Sequence, residues 1–380
     1  MHVLINAIGI TDSGGITVLE NVLIECSNDE ANSFYIICND NININRFYIK
    51  YSGVKNFEFK IIKNRSFLYR LYYENIVFNM IIQNNNIDLV YNFSGTAQFF
   101  LKTHQITKVH NLLFYSKKIG KVYFEKKEYL KWFKQILLKR FVFHNMLKRT
   151  KYIEVQSSHV KECISDFLDI GNKMFYIKSD IDVSNDLFSK PKEYDFRKKI
   201  KFLYIVGPHF EYIHKNFIDF TDTMIEFYKL NIDFEINITL TKEQLDNSFL
   251  WDSSLSLKTN FLGYINKEEV NNLFVDNTIL ISTSIIETLG LHVVEAVQNG
   301  ILVIAPNEIY SKMVYGDDFL TYELFNKESL LRAIKGITLQ CNNSIKDIIL
   351  NNQRYLIENE NKKCKSIIEI FDEVIKDINV

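Results

Sequence analysis

Residues 279–306, ILISTSIIETLGLHVVEAVQNGILVIAP, limit what this chain can fold into more than any other stretch. Ile279–Ser282 is short, apolar and β-branched, and reads as a buried strand. Gly290 stands where a tight loop turns into a helix, and Val293, Val294, Ala296 and Val297 give that helix an apolar side. Gly300 fits a helix stop, and Ile301–Ala305 is a second apolar run closed by Pro306. Strand, helix, strand in that order is a βαβ unit, whose strands are parallel. Two carboxylates bracket the loop and helix, Glu287 and Glu295, with seven residues between them.

A 380-residue chain suggests two domains, and 47% hydrophobic residues can fill two cores. A net charge of −1 argues against a general nucleic-acid binder. The five cysteines, at 26, 38, 163, 341 and 364, form no CxxC and no regular spacing, so they read as reduced thiols of a cytosolic protein and not as a zinc site. The start, MHVLINAIGI, has no basic leader and reads as a first core strand. No apolar run approaches the 18 residues or so that a membrane span needs.

The first half alternates strands and helices. His2–Ala7 is a strand, followed by the loop Gly9–Gly15 and a helix from about Ile16 with Val18, Leu19, Val22, Leu23 and Cys26 on one face. Gly14 and Gly15 therefore sit at a helix N-terminus, where bare backbone N–H groups suit an anion, or form a plain tight turn. The pattern is not G-x-G-x-x-G, which speaks against a nicotinamide cofactor. Phe34–Cys38 and Phe57–Ile62 read as strands, and 66–82 as a helix with Leu68, Leu71, Tyr72 and Val77 inward. Ile87–Tyr91 and Ile106–His110 are further strands. His110 lies at a strand's C-terminal end, where open α/β sheets collect ligands, as a site residue or a loop-capping group. Tyr152–Gln156 and Phe175–Ile177 complete a domain 1–180, and the polar segment 181–200 reads as a linker.

Lys117–Lys151 differs in kind. Twelve Lys/Arg stand against Glu125 and Glu128, a net +10, so the rest of the chain carries about −11. Aromatic residues are interleaved, and Leu130, Phe133, Leu137 and Phe141 form a helical stripe. Such a segment suits an anionic membrane surface, or a core helix with a solvated basic face. No nucleic-acid motif accompanies the charge.

A second strand–helix series begins at Lys201. Phe202–Val206 ends in Gly207-Pro208-His209, and His214-Lys215-Asn216 opens a helix with Phe217, Phe220, Met224 and Phe227 inward. A lysine at a helix start opposes the helix dipole, a mild cost that favours an anionic ligand there. Phe234–Leu240 and Thr259–Leu262 are strands, Thr241 caps a short helix, and Asn266 with Glu269 forms a capping box. Residues 201–355 make the second domain, Ile345–Ile375 reads as helical, and a C-terminal helix within 356–380 is expected to cross back to the first domain.

Within this frame, Glu287-Thr-Leu-Gly-Leu-His-Val-Val-Glu295 resembles the E-x7-E signature of family 4 of the retaining glycosyltransferases. Ser284, Gly290-Leu291, Glu295-Ala296, Gly300 and Val303-Ile304 fall where the family pattern has them, and Gly263 with the helix after it matches the usual lead-in. The order is preserved over nearly the whole chain. The resemblance implies an α/β protein of the GT-B fold, two Rossmann-like domains facing across a cleft that holds a nucleoside-diphosphate sugar. It implies that Glu295 binds the donor ribose, Glu287 lies near the donor sugar, and the amides of Gly290 and Leu291 face sugar and phosphates. Lys215 matches the diphosphate-binding lysine, Gly14-Gly15 the N-terminal loop near diphosphate and acceptor, and His110 the histidine that contacts the donor sugar. The implied catalytic residues are thus Glu287, His110 and Lys215, and the donor-binding residues Gly14, Gly15, Lys215, Gly290, Leu291 and Glu295.

No metal or other cofactor is expected. Asp180-Ile-Asp182 falls in the hinge and makes no convincing metal site. The expected partners are the nucleotide sugar, a lipid-linked or oligosaccharide acceptor of surface polysaccharide synthesis (O-antigen or capsule), and an anionic membrane met through 117–151, with no nucleic acid. The chain departs from the pattern at Pro208-His209, where many members carry arginine, at Thr288-Leu289, at His292 and at Lys178-Ser179-Asp180. These departures leave open a catalytically silent partner protein on the same fold, and a nucleotide-sugar epimerase stands as a further alternative.

Overall fold

The computed structural model describes every residue except 11–12, 64–65, 182–186, 362–364 and 379–380. Asp182 and Cys364 therefore lie outside the described residues. The chain divides into two compact units, 1–116 with 128–180 and 363–380, and 117–127 with 181–362.

In the first unit seven parallel strands lie in the order β3-β2-β1-β4-β5-β6-β7. They are β1 (His2–Ala7), β2 (Ser33–Asn39), β3 (Phe57–Ile62), β4 (Leu89–Asn92), β5 (His104–Val109), β6 (Tyr152–Val155) and β7 (Met174–Ile177). The strands are apolar runs because both sheet faces are covered by helices. The Ser13–Ser27 helix buries Val18, Leu19, Val22, Leu23 and Cys26, the face its spacing predicts, but it begins at Ser13, so Gly14 and Gly15 form its first turn. The closing helix, Ile367–Ile378, packs on it: the Ile367 N–H donates to Glu25, and Phe371 meets Tyr91 edge-on at 5.2 Å. Lys365 and Ser366 separate this helix from Asn342–Asn361, so 345–375 is not one continuous helix.

One helical segment of this unit differs from its sequence reading, and a second bears on the two alternatives left open for it. Helix 67–84 contains a π-turn at Tyr73–Val77, and it buries Tyr73, Glu74, Asn75, Phe78, Ile81 and Ile82. Leu68 and Tyr72, expected inward, face solvent together with Ile76 and Met80. A π-turn adds a residue to one turn and rotates the face that follows it. In 129–148, with a second π-turn at Phe133–Leu137, the stripe Leu130, Phe133, Leu137 and Phe141 is exposed, while Ile136, Met146 and Leu147 are buried. The stripe is therefore not a core contact within its unit.

In the second unit six parallel strands lie in the order β10-β9-β8-β11-β12-β13. They are β8 (Ile200–Tyr204), β9 (Phe234–Ile238), β10 (Thr259–Phe261), β11 (Thr278–Ile281), β12 (Leu302–Pro306) and β13 (Leu320–Tyr322). Phe217, Phe220, Met224 and Phe227 fill the core against Phe202, Phe234 and Ile236. Both capping boxes form, Thr241 with Gln244 and Asn266 with Glu269. Residues 117–127, inside the 1–180 span of the sequence reading, group with this unit. The cause is packing: the Lys117–Glu125 helix buries Ile119, Val122 and Tyr123, lies against the Ile213–Lys215 turn, and pairs Lys118 with Glu308.

Candidate active site

Each sheet has one point where the strand order reverses, and there the loops leaving two neighbouring strands diverge. In the second unit this lies between β8 and β11. The loop after β8 ends in the Ile213–Lys215 turn and in Asn216, which takes a left-handed conformation (φ 46°) at the start of the Phe217–Tyr228 helix. The β11 loop is tied to it by backbone. The Ile285 N–H donates to the His214 carbonyl (2.7 Å), and the Thr283 hydroxyl donates to the Lys215 carbonyl (2.8 Å). Because that hydroxyl has one hydrogen, the buried Tyr204 hydroxyl 2.6 Å away is the donor to Thr283. Tyr310, also buried, donates to the Ser284 carbonyl (2.5 Å).

These bonds place the side chains of Lys215 and Glu287 together. The ammonium lies 2.7 Å from one carboxylate oxygen, with the two side chains 27% and 17% exposed. Burial pushes the Glu287 carboxyl up, but the Lys215 charge, His292 and hydrogen bonds from Lys215 and Ser284 outweigh it and hold the pKa at about 2. The carboxylate is therefore ionised across the physiological range. Burial and the neighbouring Lys215 push His292 down to about 4 and His214 to about 4, against the pull of Glu287, so both rings are neutral.

Gly290 closes the loop at the N-terminus of the Leu291–Gln298 helix with φ +64°. A Cβ there would lie 1.9 Å from the Tyr315 hydroxyl oxygen, so glycine is needed both for conformation and for space. The first N–H groups of that helix have no partner within it and carry its positive dipole end. Leu291 is the helix's first residue, and Glu295 sits one turn further on, on the same face and half-buried. Lys215, Glu287, Gly290, Leu291 and Glu295 thus share one sheet edge.

Gly14, Gly15 and His110 belong to the first unit. A Cβ on Gly14 would meet nothing within 4 Å, so space does not demand glycine there. His110 follows β5, and its Nε2 lies 2.7 Å from the Phe93 carbonyl. Burial, aided by Lys108, pushes its pKa down to about 4, against Asp180 and that bond. A carbonyl only accepts, so Nε2 carries the hydrogen and Nδ1 of the neutral ring is a bare acceptor. Asp180 is engaged structurally: its carboxylate accepts from the fully buried Lys108 (2.7 Å) and from Gln156 (2.6 Å), and Glu154 takes Lys108 from the other side (2.6 Å). Sequence reasoning missed this cluster and the supports from Thr283 and Tyr310, because their partners are 68 and 26 residues away.

Residues 241–363 match the family model Glycosyl transferases group 1. This span contains Glu287, Gly290, Leu291 and Glu295, and Lys215 precedes it. No curated protein sequence matches the chain. Among solved structures the chain is similar to a sucrose-phosphate synthase from Thermosynechococcus elongatus, with TM-score 0.70, 12% identity and 99% of each chain covered. It is similar to a glycosyltransferase from Rickettsia africae, with TM-score 0.66, 15% identity, and 99% of this chain and 98% of that one covered. The fold is GT-B. Anabaena HepE, solved in complex with UDP and glucose, is a third neighbour, with TM-score 0.64, 11% identity, and 100% of this chain and 99% of that one covered.

Proposed function

We propose that the chain is a retaining glycosyltransferase that moves a sugar from a nucleoside-diphosphate sugar to a lipid-linked glycan acceptor in surface polysaccharide synthesis. One observation carries the reading: the Lys215–Glu287 pair and the Gly290 helix N-terminus meet at the second sheet's reversal point, and most of that site lies inside the glycosyltransferase family match.

The chemistry follows from the residues. A departing nucleoside diphosphate develops negative charge, which preorganised donors stabilise. Lys215 gives one N–H to Glu287, which leaves two for phosphate oxygens. The first N–H groups of the Leu291–Gln298 helix point at the same anion. Glu295 accepts the ribose hydroxyls through its carboxyl oxygens. Glu287 orients Lys215 and faces the donor sugar. The family resemblance also assigns roles to His110, whose Nδ1 is an acceptor, and to Gly14-Gly15. The acceptor oxygen forms its bond to the anomeric carbon on the face from which the diphosphate leaves. The acceptor's proton passes to the departing phosphate oxygen, so configuration is retained. The charge falls on Lys215 and a helix N-terminus, and no step passes through a metal, so the rate is expected to survive a chelator.

No helix among the described residues is long and apolar enough to cross a membrane. Access to a lipid-linked acceptor is assigned to the exposed side chains of Tyr129, Leu130, Phe133, Leu138 and Phe141, interleaved with Lys131, Lys134 and Lys139, which suit the anionic inner face of the cytoplasmic membrane. Screening nucleotide sugars for released nucleoside diphosphate tests the reading. Release with one donor, abolished by Glu295→Ala, is expected. Release untouched by Glu295→Ala would remove the site assignment, and no nucleotide binding of any kind would favour a silent partner protein.

A further inference from the structure

The first sheet also reverses its strand order, between β1 and β4. The loops that diverge there carry Gly9 after β1 and Ser94-Gly95-Thr96 after β4. They are joined by the Gly9 N–H, which donates to Ser94 Oγ (2.9 Å), and by Ser94, which donates to the Asn6 carbonyl (2.9 Å). The cation at this point is Arg70, on helix 67–84.

Its setting is unusual for a structural arginine. Glu74, one turn along, is 1% exposed. One of its oxygens collects three donors: Arg70 Nε (2.9 Å), Asn6 Nδ2 (2.9 Å) and the Thr96 hydroxyl (2.8 Å). Its other oxygen is buried with no partner among the described residues. Thr96 also accepts from Arg70 Nη2 (2.5 Å). A stabilising Arg–carboxylate pair normally closes as a two-pronged fork. Here Glu74 takes only Nε and fixes the plane of the guanidinium. Among the described residues two of its five donors are engaged, and Nη1 lies over the Gly9 turn, where a Cβ would be 2.1 Å away. Glycine at 9 therefore makes room for the head, and the side chain remains 19% exposed. A preorganised guanidinium with free prongs, at the edge where open sheets bind ligands, suits a phosphate group.

We propose that Arg70, positioned by Glu74 and Thr96, binds a phosphate group in the first unit, and that this phosphate belongs to the acceptor. The acceptor assignment rests on the glycosyltransferase reading, whereas the phosphate site does not. No covalent step is involved.

The test is calorimetry on the full chain in a Lys215→Ala background, which silences the second unit's anion site. The probes are inorganic phosphate, n-octyl phosphate and glucuronate. Phosphate is expected to bind once per chain, and adding Arg70→Gln is expected to weaken it about tenfold or more, the size of losing charge-assisted hydrogen bonds. Tighter binding of octyl phosphate points to a lipid-linked acceptor, and equal binding to a soluble phosphorylated one; both support the site. Unchanged affinity with Arg70→Gln, no phosphate binding, or binding of glucuronate in preference to phosphate would overturn it. If Arg70→Gln unfolds the protein by circular dichroism, Arg70→Lys, which keeps the charge and loses the fork, is read instead, with several-fold weakening expected and unchanged affinity overturning the site. Failure of every nucleoside diphosphate to bind the wild type, with phosphate still held by Arg70, would sink the glycosyltransferase reading and leave this site standing.

Discussion

Each unit sets a cation against a carboxylate at its sheet's reversal point, but the two pairs are built differently. Arg70 and Glu74 are one turn apart on a single helix, so their geometry is local and their carboxylate is almost wholly buried. Lys215 and Glu287 are 72 residues apart, brought together by bonds between two loops, and both are partly open to solvent. The local pair fixes one head rigidly. The long-range pair reports whether two loops are correctly docked, and loosening either loop disperses it. A site that must hold a departing diphosphate gains from the second design, because its charge, its helix N-terminus and its carboxylates come from separate elements that converge.

The largest expected difference is kinetic. Lys215→Ala should lower the turnover number by about 10²–10³-fold, the usual cost of removing one preorganised oxyanion donor. Arg70→Gln should instead raise the acceptor KM and keep most of the turnover number. Steady-state kinetics on both variants separates the two, and equal effects on both parameters would erase the distinction between the units.

The two close-packed glycines come next. Gly290→Ala places a Cβ against a buried tyrosine in a left-handed backbone, and should cost about 2–4 kcal/mol. Tyr315→Phe removes the clashing oxygen and should restore part of it. Gly9→Ala displaces the Arg70 guanidinium from its bonds to Glu74 and Thr96 but meets no backbone and no core ring, so it should cost less than Gly290→Ala, about 1–2 kcal/mol. Urea unfolding of the three variants and the double mutant measures this, and equal losses at 9 and 290 would contradict it.

Much of the fold is legible in the sequence for the same reason that Arg70–Glu74 is compact: local rules suffice. The Asn266–Glu269 capping box, the Thr241 cap, the inward face of Phe217–Tyr228 and the strand–helix–strand order around Gly290 are set by residues within a few positions of one another. Helix 67–84 is not legible in this way. Leu68, Leu71, Tyr72, Tyr73, Ile76, Val77, Phe78 and Met80 are apolar all round it, so no period selects a face. The π-turn and the buried Glu74 decide the face instead, and they depend on Asn6 from β1 and Thr96 from the loop after β4. In the same way, Glu287 and Lys215 are visible as residues, but their contact and the neutral state of His292 arise only when the loops meet.

Acid should act on both units, by a smaller margin. His110 in the first unit, and His214 and His292 in the second, are each held at about 4 chiefly by burial, below the roughly 6.5 of an unfolded chain. The unfolded chain takes up these protons first, so stability is lost as pH falls from about 6.5 toward 4, and His144 and His159 of the first unit, also lowered chiefly by burial, act in the same direction. Glu287 acts later: its contribution is present above roughly pH 4.3 and is lost as pH falls toward its folded value of about 2. Urea unfolding at pH 7 and 4.5 should show a smaller acid loss for His292→Gln than for the wild type, and an equal loss would refute the neutral assignment.

The smallest effect on stability belongs to the exposed stripe. Leu130→Ser with Phe141→Ser should change unfolding by less than about 0.5 kcal/mol while abolishing flotation with anionic liposomes at low salt. Flotation that survives both changes would detach the membrane from this segment.

The central claim, that the second unit's reversal point holds a nucleoside diphosphate, is tested most directly by calorimetry of UDP, GDP and dTDP against the wild type and Lys215→Ala. The account predicts that one of the three binds the wild type and binds Lys215→Ala at least about tenfold more weakly, as expected for loss of a charged hydrogen-bond donor. Binding that is indifferent to Lys215, or no binding by any of the three, would contradict it.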